Sequence, residues 1–507
     1  MNSNMDYYRD TQSLPYYLQM EANSSKPSIK SFENFYKAYI NNDVSENKDK
    51  DYEREFYKFL KERVSDFIGK SPYDHIVLLL GAGASVVEIE NNGKSLIDKR
   101  YGKTMGQLAW NIFSSISKKE YVNEINAKSE VLLTYKEIVK FLSDNKSEKF
   151  PEPKNDSVKW KDTFPLEELI SQMDFYIKGN EHLIELSEDN KKKKHFYKVC
   201  NTKNYIIYKI FKAVNYDNLD DEKIPFNHMS VVLALTGLLR DLSEKLTIVT
   251  TNYDLAIEKS LGKRDFSIFN GFNLSNDSVF DESSFDWVLS KKVNHINTHE
   301  VIYKPNMVNL FKIHGSIDWL FDGERTRKVS VEEVKQNLIS QIKLEDNFEK
   351  SLSDKRNEVR MIFPSTNKYM QSYEEPYFDL MARFQEELHK TNTLLVTSGF
   401  SFGDDHISRM VINAIKHNSS LKCLFTDYEI HNSKFYKYIE AEDSEKIDND
   451  QETKEKANDM ETISIENLYG NKNWRELDEL RNEGYDIAFL KATMNDKKNG
   501  LAFFLRG

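Results

Sequence analysis

The 507-residue sequence contains only two cysteines, Cys200 and Cys423. Two cysteines cannot form the disulfide framework of a small secreted domain, nor the four-thiolate site that holds a structural zinc ion. Long apolar stretches are also missing, because no run approaches the roughly 20 residues that cross a bilayer. The first segment, MNSNMDYYRDTQSLPYYLQM, lacks the apolar region of a secretory signal. These absences predict a cytoplasmic protein with no zinc ion and no membrane partner.

Positive charge is the minority, with 71 Lys and Arg against 82 Asp and Glu, and the formal net charge is -11. An acidic chain is a poor electrostatic match to nucleic-acid phosphates, so we expect no direct nucleic-acid partner. Core-forming side chains are plentiful, because the chain contains 31 Phe and 27 Tyr. This content argues against disorder, and the length allows two or three domains.

Short apolar runs recur along the chain and predict a set of buried strands. The runs are 76–80, 246–250, 309–313, 359–363, 393–397 and 421–425. Segments with helical periodicity separate them. Short apolar strands that alternate with helices predict an α/β fold, with a Rossmann-like, mainly parallel sheet covered by helices on both faces.

The same patterns divide the chain into three regions. Residues 1–70 predict a helical N-terminal extension, and residues 71–430 predict the α/β domain, with a large helical insertion at about 118–245. Residues 431–507 form a C-terminal segment with a charged, acidic loop. The closing stretch YDIAFLKATMNDKKNGLAFFLRG predicts a β-hairpin, strand–turn–strand.

Two glycines follow the first apolar strand in IVLLLGAGAS, residues 76–85. A strand followed by Gly-x-Gly is typical of the turn that brings backbone N–H groups close to a dinucleotide pyrophosphate. The usual third glycine is absent, because position 86 is Val. Alone, the motif fits equally a tight turn that binds nothing.

Three further strands end in polar loops. Asn252 and Asp254 follow one strand, His314 follows another, and Ser398 with Gly399 follows a third. Each loop alone has an ordinary explanation: a helix cap, a structural histidine or a strand-to-helix connection. Parallel strands bring their carboxyl ends to one edge of a sheet, where ligands bind. Four such loops therefore predict one shared site.

Taken in order, these segments resemble the SIR2-like family. The glycine loop GAGAS (81–85) and the signature TTNYD (250–254) match family motifs, and KIHGS (312–316) is similar to the catalytic His-Gly segment. TSGFSFGDDHI (397–407) resembles the nucleotide-contacting loop after a later strand. GKTMGQLAW (102–110) is the loosest match, because it lacks the proline of the family segment.

Two departures refine the resemblance. Sirtuin deacylases carry a zinc module with four cysteines, which this chain cannot form, and their signature usually has Gln where this sequence has Thr251. The chain more closely resembles the SIR2-like effectors of bacterial anti-phage systems, which hydrolyse NAD+. The resemblance implies NAD+ as substrate, without zinc.

The resemblance also implies roles for individual residues. Asn252 would position the ribose or a water molecule, Asp254 would support that loop, and His314 would act as a base. The residues expected to bind the nucleotide are Gly81, Ala82, Gly83, Ser85, Thr250, Thr251, Ser398 and Gly399.

An enzyme that destroys NAD+ needs control, so we expect a homo-oligomer, a partner defence protein, or both. The helical insertion and the C-terminal segment are the expected contact surfaces. Two alternatives remain open: a deacylase or ADP-ribosyltransferase acting on protein, and a non-catalytic NAD+ or ADP-ribose sensor or scaffold.

Overall fold

The computed structural model describes most of the chain in separate ranges. These are residues 4–12, 16–19, 27–40, 51–91, 94–98, 100–103, 105–128, 130–142, 149–153, 160, 164–216, 225–241, 243–275, 278–292, 301–342, 358–361, 375–428, 472–496 and 498–506. The predicted acidic loop of the C-terminal segment lies outside these residues.

A nine-stranded sheet forms the centre of the fold, with strand order β2-β1-β16-β15-β14-β3-β6-β10-β7. From β16 to β7 all neighbours are parallel, and β1 and β2 are antiparallel additions at one edge. The strands of the whole chain are β1 (Asn4–Asp10), β2 (Tyr16–Gln19), β3 (His75–Leu80), β4 (Glu88–Asn91), β5 (Lys94–Ile97), β6 (Leu246–Thr250), β7 (Ser267–Phe269), β8 (Ser290–Lys292), β9 (Val301–Tyr303), β10 (Met307–Lys312), β11 (Gly315–Phe321), β12 (Thr326–Lys328), β13 (Glu358–Met361), β14 (Thr393–Ser398), β15 (Leu421–Asp427) and β16 (Ile487–Lys491).

The central strands are apolar throughout because helices cover both faces of the sheet. On β3, Ile76, Leu78 and Leu80 belong to the core on one face. Val77 and Leu79 belong to the core on the other face. This alternation is the two-residue period of a strand. The predicted mainly parallel α/β fold is confirmed, and five of the six predicted runs lie in this sheet.

The sixth run was assigned to the wrong sheet. Residues 358–361 form β13, which pairs antiparallel with β11 in a separate three-stranded sheet, β12-β11-β13. β11 begins at Gly315, directly after β10 and one tight turn, with Gly315 at φ +87°. That turn redirects the chain out of the main sheet, and β13 then pairs with the redirected strand.

The N-terminal extension contains the expected helices, but two strands precede them. β1 pairs antiparallel with β16, and β2 pairs with β1. The charged stretch NMDYYRD does not have the apolar pattern of a buried strand. Arg9 can nevertheless be buried in β1, because it lies over the ring of Phe489 and forms an ion pair with Asp478 at 3.2 Å. These partners lie near the other end of the chain, so local sequence could not reveal them.

The predicted C-terminal hairpin is wrong. Its first strand is β16, but Leu501–Leu505 form a short helix. β16 already lies between β15 and β1, so neither of its edges can accept a hairpin partner. Leu501, Phe504 and Leu505 instead turn toward the core beneath the sheet, at helical spacing.

Fourteen α-helices lie within the described ranges, and they form two layers on the sheet and one separate cluster. They are α1 (Ile29–Tyr39), α2 (Tyr52–Ile68), α3 (Met105–Ser117), α4 (Tyr121–Glu124), α5 (Tyr135–Ile138), α6 (Leu166–Glu185), α7 (Asn190–Val214), α8 (His228–Thr236), α9 (Ala256–Leu261), α10 (Val331–Ile342), α11 (Tyr377–His389), α12 (Asp405–His417), α13 (Lys472–Asn482) and α14 (Leu501–Leu505). Among the helices described here, none is long and apolar enough to pass through a bilayer.

Each helix layer combines helices from distant parts of the chain. One face of the sheet packs on α1, α2, α8, α9 and α14, and the other on α11, α12 and α13. A third core joins α3, α5, α6 and α7 with α10. The helical insertion is therefore present, although α8 within it packs on the sheet.

Candidate active site

Four loops meet at the carboxyl edge of four adjacent strands, β14, β3, β6 and β10. The last residues of these strands are in register: Ser398 pairs with Leu80, Leu80 with Thr250, and Thr250 with Lys312. We name three of these loops: the glycine loop is Gly81–Ser85, the β6 loop is residues 250–254, and the β14 loop is residues 398–404. The fourth loop follows β10 and contains His314. The predicted convergence of the four loops on one edge is therefore observed.

The chain reverses the direction in which it adds strands to the sheet between β3 and β14. From β3 the chain adds β6, β10 and β7 on one side, and it then returns to add β14, β15 and β16 on the other. In open α/β sheets, ligands bind outside the carboxyl ends of the strands at such a switch point. The glycine loop and the β14 loop follow the two strands on either side of this switch point.

The glycine loop is bound to the β14 loop through its backbone. The N–H of Gly81 donates to the carbonyl of Ser398 at 3.1 Å, and the N–H of Gly83 donates to the carbonyl of Gly399 at 2.9 Å. Residues Ala82–Ser85 form one 3₁₀ turn. In this conformation the two glycine N–H groups stabilise the loop pair, and their predicted role toward a pyrophosphate stays a prediction.

Close backbone contact explains the glycines. A Cβ on Gly81 would lie 2.5 Å from the carbonyl oxygen of Gly399, and a Cβ on Gly399 would lie 2.2 Å from the nitrogen of Ala84. Gly399 also has φ +63°, in the left-handed region that favours glycine. No other residue fits these positions without moving the backbone.

Asn252 joins the β6 loop to the glycine loop. Its Nδ2 donates to the carbonyl of Gly81 at 2.9 Å and to Oγ of Ser85 at 3.1 Å. Its own N–H donates to Oγ1 of Thr250 at 3.0 Å, and the N–H of Thr251 donates to the carbonyl of Leu80. These contacts fix the carboxamide directly against the predicted phosphate-binding turn.

Asp254 is buried beside Asn252 and has two separate tasks. Its Oδ2 accepts from the hydroxyl of Ser85 at 2.7 Å, and its Oδ1 accepts from the N–H of Ala256 at 2.9 Å, which is close to the start of α9. The buried ammonium of Lys312 donates to the carbonyl of Asp254 and forms an ion pair with Glu258 at 3.2 Å. The sequence prediction gave Asp254 a supporting role but missed Lys312.

His314 lies at the end of β10, buried, with its Nε2 3.1 Å from Oδ2 of Asp404. Asp404 belongs to the β14 loop and also caps α12, because its Oδ1 accepts from the N–H groups of His406 and Ile407. One carboxylate thus caps the following helix and also lies beside the imidazole. The quoted motif contained Asp404, but no role was assigned to it.

The comparison with protein families covers most of this edge. Residues 246–458 match the family model described as a SIR2-like domain, a range that includes the β6 loop, His314 and the β14 loop. The chain contains a SIR2-like domain. The predicted SIR2-like family is confirmed over this range, which begins after the glycine loop, and the predicted likeness to anti-phage effectors stays a prediction. Comparison of the chain with curated proteins finds no significant match.

Two residues that the sequence prediction missed lie near Asp254 of the SIR2-like domain. Tyr216 follows α7, and its hydroxyl accepts from the N–H of Gly102 at 3.3 Å. Burial and the nearby Asp254 carboxylate raise the pKa of Tyr216. His228 opens α8 and is 1% exposed, and burial lowers its pKa to about 4 against the opposing effect of Asp254. No local motif marks either residue.

The predicted nucleotide-binding residues differ in how accessible they are. Ala82 is exposed and Gly83 and Thr251 are half-buried, whereas Thr250 and Ser398 are buried. The Oγ of Ser398 has no hydrogen-bond partner among the described residues. The structure therefore brings all of these residues to one edge, and of them Ala82 is the one classed as exposed.

A cleft of about 340 Å³ lies at the opposite, amino edge of the sheet. Its lining includes His75 and Thr247, at the start of β3 and β6, together with Lys245 and Arg383. Burial lowers the pKa of Lys245 to about 8. None of the predicted site residues lines this cleft, so it is separate from the candidate active site.

Proposed function

We propose that this chain is an NAD+ glycohydrolase that cleaves NAD+ to nicotinamide and ADP-ribose. The observation that carries the proposal is the contact of the Asn252 carboxamide with both Gly81 and Ser85. It brings a group able to position a ribose or water against the turn suited to a pyrophosphate. The SIR2-like domain supports the same substrate, because it spans the β6 loop and His314.

The dinucleotide would lie across the carboxyl edge at the switch point between β3 and β14. The glycine loop would meet the pyrophosphate, with Ala82 exposed and Gly83 half-buried. Ser398 and Gly399 would meet the adenosine side, and Thr250 and Thr251 would complete the set. Opening of the Gly83 to Gly399 hydrogen bond would release a further N–H donor toward the phosphates.

In the reaction, the bond between the nicotinamide nitrogen and ribose C1′ breaks, and its electron pair leaves with neutral nicotinamide. An oxocarbenium-like ribose remains, and water adds to C1′ and loses a proton. Asn252 would hold the ribose or the water in place. The nearby Asp254 carboxylate would stabilise the positive charge on the sugar and keep the β6 loop in position.

His314 would take the proton from the ribose hydroxyl or the attacking water. Asp404 supports this role, because its carboxylate lies 3.1 Å from Nε2 of the imidazole. The same carboxylate would stabilise the imidazolium that forms when the ring accepts a proton. The pair is similar to the histidine–carboxylate pairs of other hydrolases in this electrostatic effect, and no similarity of fold is implied.

The direct test follows nicotinamide release from NAD+. The wild type is compared with Asn252→Ala and His314→Ala, with His417→Ala as the control for an exposed histidine outside the edge. We expect turnover by the wild type and the control, and loss of at least about 100-fold in the two site variants. Equal turnover in all four proteins would contradict the proposal.

The same proteins separate the alternatives. Turnover that requires an acylated peptide would indicate a deacylase, and transfer of label from NAD+ to protein would indicate an ADP-ribosyltransferase. Tight NAD+ or ADP-ribose binding without turnover in any condition would indicate a sensor or scaffold. The chain's two cysteines, which lie in α7 and β15, cannot provide the four-thiolate module of the deacylases.

We further propose that the enzyme is a cytoplasmic effector of anti-phage defence that depletes NAD+ and causes abortive infection. The support is the resemblance of its motifs to such effectors. Because unregulated NAD+ loss would kill the host, activity would depend on homo-oligomerisation, a partner protein or a phage-derived trigger. NAD+ levels in infected cells expressing the wild type or Asn252→Ala, with the mass of the native assembly, test this. Constant NAD+ during infection, or full activity of a lone monomer, would contradict it.

A further inference from the structure

One buried asparagine outside the family match contacts the glycine loop. Asn495 follows β16 in the C-terminal segment, which was expected to be a contact surface rather than part of the site, and it is 2% exposed. Its Nδ2 donates to the carbonyl of Ala84 at 2.8 Å and to the carbonyl of Val86 at 2.7 Å. The side-chain amide of Asn495 thus binds the two carbonyl groups on either side of Ser85, at the end of the glycine loop.

The other half of the same side chain binds a third segment. Oδ1 of Asn495 accepts from the N–H of Asn227 at 2.9 Å. Asn227 directly precedes His228, the buried residue near Asp254. Asn495 therefore links the glycine loop to the start of α8, and both of its amide N–H groups and its oxygen are used.

The fold fixes Asn495 in this place. β16 is parallel to β15, so its carboxyl end lies at the same edge as the candidate site. Between β16 and β3 lie β15 and β14, a distance of about 14 Å at the usual strand spacing, which a few extended residues can span. Met494 packs in the same core as Ala84, and the N–H of Leu501 closes the segment onto Thr493 at 2.9 Å.

Without Asn495 the two carbonyls would be left without their buried partner. A buried carbonyl that loses its hydrogen bond costs about 1–3 kcal/mol, so the loop would shift to find other donors. The opposite side of the loop is already bound to Gly399 through Gly83. The loop's geometry is therefore set from both sides, by the β14 loop and by Asn495.

We propose that Asn495 is a positioning residue for the glycine loop, so that NAD+ binding by the SIR2-like domain requires the C-terminal segment. The NAD+ part of this inference rests on the proposed function. Asn495 would act through Ala84 and Val86 and would not touch the reacting atoms. Its loss should weaken substrate binding more than it slows the chemical step.

The test compares Asn495→Asp with the matched control Asn418→Asp. Asn418 also donates from Nδ2 to two carbonyls, those of Leu388 and Lys390 at 2.9 and 2.8 Å, and accepts from Ser420. It precedes β15 and so lies at the opposite edge of the sheet. Both changes remove two donors to carbonyls, but only one of them acts on the glycine loop.

Hydrogen exchange of the full chain provides a readout that needs no NAD+. In Asn495→Asp, we expect amide exchange in residues 83–86 to accelerate by about 10-fold or more, from the loss of two hydrogen bonds. In Asn418→Asp these amides should exchange as in the wild type. If Asn495→Asp does not fold, Asn495→Ser replaces it, because its short hydroxyl cannot reach both carbonyls.

Kinetics provide the second readout. We expect KM for NAD+ to rise by about 10-fold in Asn495→Asp while kcat stays within about threefold, and both to be unchanged in Asn418→Asp. Unchanged exchange in residues 83–86 would overturn the inference, as would equal effects in the two variants. If the wild type neither binds nor cleaves NAD+ as an oligomer or in phage-infected cells, the proposed function fails, and the exchange comparison alone decides the role of Asn495.

Discussion

The Asn252 carboxamide donates a hydrogen bond to the carbonyl oxygen of Gly81 over 2.9 Å. This contact joins the ends of two adjacent parallel strands, β6 and β3, whose closing residues are far apart in the sequence. It converts two separate motifs into one structural unit. The proposed chemistry depends on this unit, because a carboxamide held against the glycine loop is placed where a bound dinucleotide would have its ribose.

Replacing Asn252 with Asp should break the unit. A carboxylate cannot donate to the Gly81 carbonyl, so we expect a loss of stability of about 2–3 kcal/mol and loss of NAD+ cleavage. Urea unfolding and nicotinamide release measure the two effects. Asn273→Asp is the control, because the Asn273 oxygen accepts from the N–H of Ser275 and an aspartate can do the same. If Asn252→Asp changes neither the stability nor NAD+ cleavage, the contact between Asn252 and Gly81 is unimportant.

Replacing Gly399 with Ala should force the β14 loop away from the glycine loop. The new Cβ would lie 2.2 Å from the Ala84 nitrogen, at φ +63°. We expect destabilisation of about 3 kcal/mol or more, from backbone strain and overpacking together.

Gly484→Ala is the matched control for this change. Gly484 has φ +100°, but within the described part of the chain, its two sequence neighbours aside, no heavy atom lies within 4 Å of its Cβ position. We therefore expect a cost of only about 1–2 kcal/mol, from strain alone. Thermal or urea unfolding measures both variants, and equal losses would contradict the close contact between the two loops.

Replacing Asp404 with Asn should separate its two tasks. Asparagine caps helices as well as aspartate does, so the stability change should stay within about 0.5 kcal/mol. The ring of His314 loses its carboxylate, so we expect kcat to fall by about 100-fold. Asp189→Asn is the control, because Asp189 caps α7 in the same way, far from His314. A normal kcat in Asp404→Asn would remove Asp404 from the mechanism.

The buried His228 predicts a pH dependence of stability. Its folded pKa of about 4 lies below the ordinary value of 6.5, so the folded state favours the neutral ring. The stability that depends on the neutral ring is present above pH 6.5 and is lost as the pH falls from 6.5 toward 4. Between pH 7.5 and 5.5, the wild type should lose about 1 kcal/mol more stability than His228→Asn.

Urea unfolding at the two pH values measures this difference. If the free energy of unfolding changes equally with pH in the wild type and in His228→Asn, the ring of His228 is not buried in its neutral form.

The sequence was sufficient where the physics is local or periodic. The apolar strands that end at Leu80, Thr250 and Ser398 are recognisable because both faces are covered, and the parallel topology then brings their loops together. The same reasoning identified Asn252 and His314 as residues at strand ends. These features depend on a few neighbouring residues and on one general rule of sheet topology.

The parts that sequence reasoning missed depend on tertiary partners. Arg9 is hidden in a strand because Phe489 and Asp478 receive it. The final apolar stretch, Leu501–Leu505, is a helix and not a hairpin strand, because both edges of β16 are already paired. Asn495 and His228 reach the site from remote segments, and no spacing rule links them to the glycine loop. Only the folded chain shows these contacts.

A structure of the His314→Ala protein with bound NAD+ would locate the substrate. We expect the pyrophosphate at the glycine loop and the nicotinamide ribose between Asn252 and position 314, at the carboxyl edge of the sheet. NAD+ bound in the cleft near His75 and Lys245, at the opposite edge, would show that the proposed site is wrong.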